Sequence, residues 1–207
     1  EVAFWSGALT SAQAVTMALI APVWGSLADR YGRKLMVARA MFGGAVIMTL
    51  MGFVKNVQQL VVLRAIQGLL TGTVSAAMTL VSSGTPPERR GFALGTLQLA
   101  IYSGASLGPL LGGFVADRFG HRPTFWITGS LLFIAGLMVA VGVREEFTPP
   151  EKTETGQDRP SLWAGLLLVL QTRALLVVFG IRVLVRMAGR VIGPVLPLFI
   201  QDIAPVT

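Results

Sequence analysis

The chain predicts an all-α, polytopic membrane helix bundle with six spanning helices. Three observations carry that fold class: too few charges, apolar runs of spanning length, and bases that fall between those runs. Of 207 residues, 53% are hydrophobic and only 13% charged, and the mean hydropathy is +0.69. A soluble domain carries nearer a quarter charged residues, so too little polar surface exists to coat a globule in water.

A helix needs about 20 mostly apolar residues to cross the hydrocarbon core. Six segments meet that demand, roughly Phe4–Trp24, Leu35–Val54, Leu60–Ser82, Phe92–Ala116, Thr124–Val143 and Ala174–Ile200. The gaps between the first five are short, so consecutive helices run antiparallel. Pro86 and Pro87 lie ahead of the fourth helix and Pro123 opens the fifth.

The bases in the gaps set the orientation. The first, third and fifth gaps hold Arg30, Arg33, Lys34, Arg39, Arg89, Arg90, Arg144, Lys152, Arg159 and Arg173. The alternate gaps hold only Lys55, Arg118 and Arg122. The richer side is expected in the cytoplasm, so the first helix runs inward and both ends of the chain lie outside.

The fifth gap differs in kind. It carries Glu145, Glu146, Glu151, Glu154 and Asp158 together with Pro149, Pro150 and Pro160. Such a stretch buries too little apolar surface to pack and reads as a linker. Ser161 can cap a short apolar helix, Leu162–Gln171, which Trp163 would hold at the cytoplasmic interface. The expected organisation is one helical unit over residues 1–143, a linker over 144–173, and the start of a second unit over 174–207.

Several chemistries have no material here. The chain has no cysteine and one histidine, His121, which excludes thiolate metal sites, disulfides and most triads. No catalytic residue, metal site or cofactor is expected. The net charge of +7 would suit nucleic acid if the bases shared one solvated face, but they punctuate apolar runs instead. The chain opens on Glu1 with no basic leader before its first apolar run, as an internal piece of a longer protein would.

The most informative residues are Gly25-Ser-Leu-Ala-Asp29-Arg30-Tyr31-Gly32-Arg33-Lys34. They form a charged hinge between the first two spans. Gly25 would let a neighbouring backbone approach, and Gly32 can take the positive φ of a tight reversal. Asp29 is the one acid among these bases and is the expected acceptor of a latch. A plain positive-inside loop with a turn glycine explains the parts, but the composite pattern is more specific than either.

This hinge resembles the signature loop between helices two and three of the major facilitator superfamily. Leu63-Arg64-Ala-Ile-Gln67-Gly68 resembles the family's fourth-helix Arg-x-x-Gln-Gly motif. Gly104-Ala-Ser-Leu-Gly108-Pro109-Leu-Leu-Gly112-Gly113 resembles the fifth-helix Gly-Pro-x-x-Gly-Gly motif of its proton-coupled antiporters. The resemblance implies a stretch from helix two to helix seven of a 12- or 14-helix transporter, with helix one and most of the second half lying outside it. It also implies that Arg64 faces the central cavity and takes part in proton coupling, and that the glycines form a seam against the second half.

Each motif has a reading of its own. A charge inside an apolar helix costs roughly 2.5–3.5 kcal/mol at mid-membrane on insertion scales, unless Arg64 snorkels from near the helix end. Gln67 and Gly68 give it a polar, closely packed face. Gly104, Gly108 and Gly112 recur every four residues on one stripe, which suits helices packed backbone to backbone, and Pro109 loosens the helix locally. Gly113-Phe-Val-Ala-Asp117-Arg118-Phe-Gly120-His121-Arg122 echoes the hinge on the opposite side, as a structural turn with His121 a solvated loop residue.

The last span carries Arg182, Arg186 and Arg190 at four-residue spacing. Facing lipid they would be prohibitive, so they either line a cavity that favours anionic groups or pair with acids elsewhere in the protein. Pro194 and Pro197 end that helix or break it beside a cavity. No acid lies in the apolar core of any span, so the protonatable carboxylate of an antiporter must come from elsewhere.

The expected function is secondary active transport, namely proton-coupled efflux of drug-like or lipophilic small molecules by alternating access. A sugar, organic-anion or other metabolite carrier is the alternative on the same fold, and a non-transporting scaffold or sensor is the alternative of another class. The expected partners are a small-molecule substrate, protons, the bilayer and the rest of the same transporter, with no nucleic acid. The driving force would be the proton gradient and the place a bacterial cytoplasmic membrane.

Overall fold

In the computed structural model, residues 2–145, 171–191 and 199 are described, and all regular structure among them is helical. Contacts divide the chain into two compact units, Leu9–Pro150 and a second made of Glu1–Ala8 with Glu151–Thr207. The helices are α1 (Val2–Tyr31), α2 (Arg33–Met51), α3 (Val57–Leu70), α4 (Thr73–Ser83), α5 (Arg90–Phe119), α6 (His121–Gly142) and α7 (Arg173–Val191), with one 3₁₀ turn at Pro87–Arg89. Among the described residues, five stretches are long and apolar enough to cross a membrane, α3 and α4 together forming one of them. α7, which carries Arg182, Arg186 and Arg190, is not among the five, and the predicted span Ala174–Ile200 runs beyond the described residues. The linker, the short helix at Leu162–Gln171 and Pro194 with Pro197 lie largely or wholly outside the described residues.

Three boundaries depart from expectation. The hinge is not a loop. α1 continues through Asp29 and Arg30 to Tyr31, and the chain reverses at Gly32 alone, with φ 91° and ψ 153°. Nothing between Trp24 and Tyr31 breaks a helix strongly, so the backbone keeps its hydrogen bonds until a glycine permits the reversal. Arg39, expected in the gap, therefore lies in the second turn of α2. At the other end, Gly120 (φ 84°) makes the turn by itself and His121 is the first residue of α6, not a loop residue. Pro123 sits within the first turn of α6, where its missing N–H costs nothing.

The third span is broken. α3 ends at Leu70, Gly72 takes φ 145°, and α4 starts at Thr73. The break leaves the Leu69 carbonyl without a helical donor, and the Trp24 indole N–H of α1 supplies one at 2.7 Å.

The core of the Leu9–Pro150 unit sits on α2. Its buried apolar side chains are Met36, Val37, Ala38, Ala40, Ala45, Ile47 and Met51. α6 runs antiparallel against it, and glycines set the spacing. A Cβ at Gly136 would meet the Phe42 ring at 3.0 Å, one at Gly129 the Ala45 carbonyl at 3.0 Å, and one at Gly52 the Trp126 ring. Phe42 with Phe133 (5.4 Å) and Phe53 with Trp126 (5.2 Å) fill the same seam with aromatic pairs. α2 also runs antiparallel to α3, where a Cβ at Gly43 would lie 3.4 Å from the Leu70 side chain.

Gly32 offers a direct check. A side chain is strained at its φ and ψ, so Gly32→Ala is expected to cost about 1–3 kcal/mol. A lower thermal midpoint of the purified protein reads that loss; an unchanged midpoint means the reversal tolerates a Cβ.

Candidate functional site

Two polar clusters stand out in this apolar unit. The first is on α3. Arg64 projects from the second turn and donates through Nη1 to Gln67 Oε1 at 3.1 Å and to Gln13 Oε1 of α1 at 3.3 Å. Residues three apart on a helix are neighbours, which brings Gln67 to Arg64. Gln13 arrives because Gly68 carries no side chain: a Cβ there would overlap the Gln13 carbonyl and the Thr16 hydroxyl. Gln67 is 4% exposed, the one buried polar residue among those described. The guanidinium is thus held by two neutral amide oxygens, and among the described residues no hydrogen bond ties it to a carboxylate. The structure therefore brings Arg64, Gln67 and Gly68 together and adds Gln13, which the sequence did not single out.

The second cluster surrounds the end of α1 and the start of α2. Glu145, just past the end of α6, accepts from the backbone N–H of Arg33 at 2.9 Å and of Lys34 at 2.7 Å. Gly32, as the N-cap of α2, has no side chain to satisfy those first amides. A carboxylate from over a hundred residues away takes the place of a local cap, and the helix dipole favours its charge there. The acceptor that meets this hinge is Glu145, with backbone donors; among the described residues no hydrogen bond joins Asp29 to the side chains of the bases. Glu145, assigned from sequence to the linker, belongs to the packed unit. At the opposite end of the α2–α6 pair, Arg122 Nη2 donates to the Val54 carbonyl at 3.3 Å.

Asp29 and Arg33 line a cavity of about 410 Å³ together with Trp24, Arg39, Thr71 and Ser75. Gly25 also lines it, with nothing within 4 Å of where its Cβ would stand, so it permits no close backbone approach here. The Arg39 guanidinium lies 3.2 Å from the centroid of the Trp24 ring, a cation–π contact, and its Nε and Nη1 have no hydrogen-bond partner among the described residues. Trp24 thus joins Arg39 of α2 to the broken helix at Leu69. No local pattern marks this three-helix contact, and by sequence Arg39 counts with the bases of the first gap.

The remaining sequence candidates are placed but not gathered. Gly104, Gly108 and Gly113 of α5 have open space at their Cβ positions, and Gly112 meets only Thr124 at 3.8 Å. Pro109 lies inside the unbroken α5. Asp29 and Arg30 are exposed at the end of α1. Arg182, Arg186 and Arg190 all fall in α7, where steps of four residues turn the backbone by about 40° and keep the three on one side. Among the described residues no group of three or more acids and histidines could hold a metal ion.

Comparison with known proteins agrees with this geometry. The family model of the Major Facilitator Superfamily matches residues 4–205. Among similar proteins are those named Multidrug resistance protein MdtG from Rahnella sp. (strain Y9602), 40% identical over 97% of this chain and 48% of the relative, and from Proteus mirabilis (strain HI4320), 39% identical over 97% and 49%. The same name is carried by a relative from Salmonella arizonae, 40% identical over 97% and 48%. The chain spans about half the length of these curated relatives. Several spanning-length apolar helices, Arg64 held inside one of them and a family match across nearly the whole chain converge on one conclusion: this is an integral, multi-pass membrane protein that belongs to the major facilitator superfamily.

Proposed function

We propose that the chain is part of a secondary transporter that exports drug-like or lipophilic small molecules by alternating access, driven by the proton gradient across a bacterial cytoplasmic membrane. The observation that carries this is a cation, Arg64, held inside an apolar span by neutral partners. Such a charge is costly in a membrane and marks an ion or substrate path. The name of the relatives, Multidrug resistance protein, favours drug-like cargo. Residues 1–143 would supply helices of the first half, 144–173 the connection, and 174–207 the first helix of the second half. The open glycine stripe of α5 suits a seam that the second half packs against.

Purified full-length protein in vesicles tests the export reading, with ethidium, chloramphenicol and fluorescein as cationic, neutral and anionic probes. The expected result is probe movement that consumes an imposed pH gradient, reduced at least about tenfold in Arg64→Leu. If none of the probes moves and the gradient persists, proton-coupled export is wrong. The arginines of α7 favour a second reading, an organic-anion carrier. Fluorescein moved in preference to ethidium, with the preference lost in Arg186→Ala, would support it.

A further inference from the structure

The Arg64 cluster contains a residue that no motif covers. We infer that Gln13 of α1 is a positioning residue for Arg64, holding its charge in place at the α1–α3 crossing without neutralising it; this rests on the proton-coupled export reading. Three observations carry it. Gln13 Oε1 and Gln67 Oε1 converge on the same nitrogen, Nη1 of Arg64, from two different helices. The crossing is built to allow this, since Gly68 lets the Gln13 backbone approach where any side chain would collide. Thr16, one turn along α1, donates its hydroxyl to the Ala12 and Gln13 carbonyls at 2.9 and 3.1 Å, and among the described residues no hydrogen bond joins it to the guanidinium.

The choice of amide over carboxylate is what matters physically. A glutamate at either position would offer the same oxygen at the same reach and would also cancel the charge. With glutamines, the cation keeps its field toward whatever titrates or binds opposite. Other charges on the neighbouring elements stand away from it. Asp29 and Arg30 lie sixteen and seventeen residues further along α1 from Gln13. On α2, Leu50 lines a cavity with Leu63, whereas Arg33, Lys34 and Arg39 lie eleven or more residues back from Leu50, Arg33 and Arg39 beside Thr71 and Ser75. Lys55 precedes α3 by nine residues from Arg64, and Arg122 reaches the Val54 carbonyl beside it. No hydrogen bond or ion pair joins any of them to Arg64 among the described residues.

The test uses the full-length protein in vesicles and whichever of the three probes the wild type moves fastest, with flux followed as a function of pH. Gln13→Leu, which keeps the bulk and removes the acceptor, is expected to slow flux about tenfold. Gln13→Glu cancels the cation, so protonation nearby becomes easier and the pH of half-maximal flux rises by about one unit. Gln67→Glu is expected to move the profile the same way, because it meets the same nitrogen. A merely structural Gln13 would lower the amount of inserted protein and leave the pH profile of the inserted fraction unmoved. If Gln13→Leu does not insert, the closely isosteric Gln13→Glu carries the test. Wild-type flux with an unshifted Gln13→Glu profile overturns the positioning role alone. Wild-type vesicles that move no probe and hold their gradient overturn the export reading and this role together.

Discussion

Gly68→Ala is expected to destabilise the protein by about 2–3 kcal/mol and, on the proposed export function, to cut flux with it. Two effects of opposite sign compete. Inside a helix, alanine is favoured over glycine by about 1 kcal/mol. Against that, the new Cβ would overlap the Gln13 carbonyl and the Thr16 hydroxyl. The first is backbone and cannot rotate away; the second is held by its bonds to Ala12 and Gln13. The overlap wins, and relief requires α1 to move off α3, which also withdraws Gln13 from Arg64. Gly95→Ala is the matched control, because Gly95 has nothing within 4 Å of its Cβ position and gains only helix propensity. Thermal unfolding in detergent separates the two. Equal midpoints for Gly68→Ala and Gly95→Ala would show that the α1–α3 crossing is looser than drawn.

Removing the Glu145 carboxylate is the second large effect. In Glu145→Ala the amides of Arg33 and Lys34 lose their acceptor at a buried turn, and α2 loses the negative charge at its N-terminus. Helix caps are worth about 0.5–2 kcal/mol and a charge at the dipole up to about 2 kcal/mol when partly buried, so a loss of about 2 kcal/mol is expected. Glu145→Gln keeps one acceptor oxygen without the charge and should fall between wild type and alanine. The consequence for function follows from connectivity. Glu145 lies just past the end of α6, and it ties that exit to the start of α2. Releasing it frees the exit of α6 from the hinge, so Glu145→Ala is expected to slow flux even where protein is inserted normally. Wild-type stability and flux in Glu145→Ala would show that water replaces the carboxylate at no cost.

The limits of the sequence show at particular residues. Gly32 was legible as the reversal point, because only glycine accepts its backbone conformation and no neighbour offers an alternative. The length of α1 was not: charges at Asp29 and Arg30 look like a loop, yet polar residues continue a helix readily once it reaches water. The two glycine sets make the same point in opposite directions. Gly104, Gly108 and Gly112 form the more regular pattern, yet among the described residues they meet almost nothing. Gly129 and Gly136, seven residues apart on α6, carry the tightest seam beside α2. Spacing reveals that residues share a face and says nothing about what lies opposite.

What the sequence determined by itself is the solvent and the class of element. A chain this apolar, cut by bases at intervals of a membrane's thickness, can only satisfy its backbone as spanning helices, and the hinge, Arg64 and glycine motifs bring it to its family. What only the tertiary structure decided is partnership. Gln13 meets Arg64 across 51 residues and Glu145 meets Arg33 across 112, and Trp24 finds the carbonyl that the break at Gly72 sets free. Those contacts depend on helix crossings, which are set by where side chains are missing as much as by where they are present. Local periodicity carries no record of them.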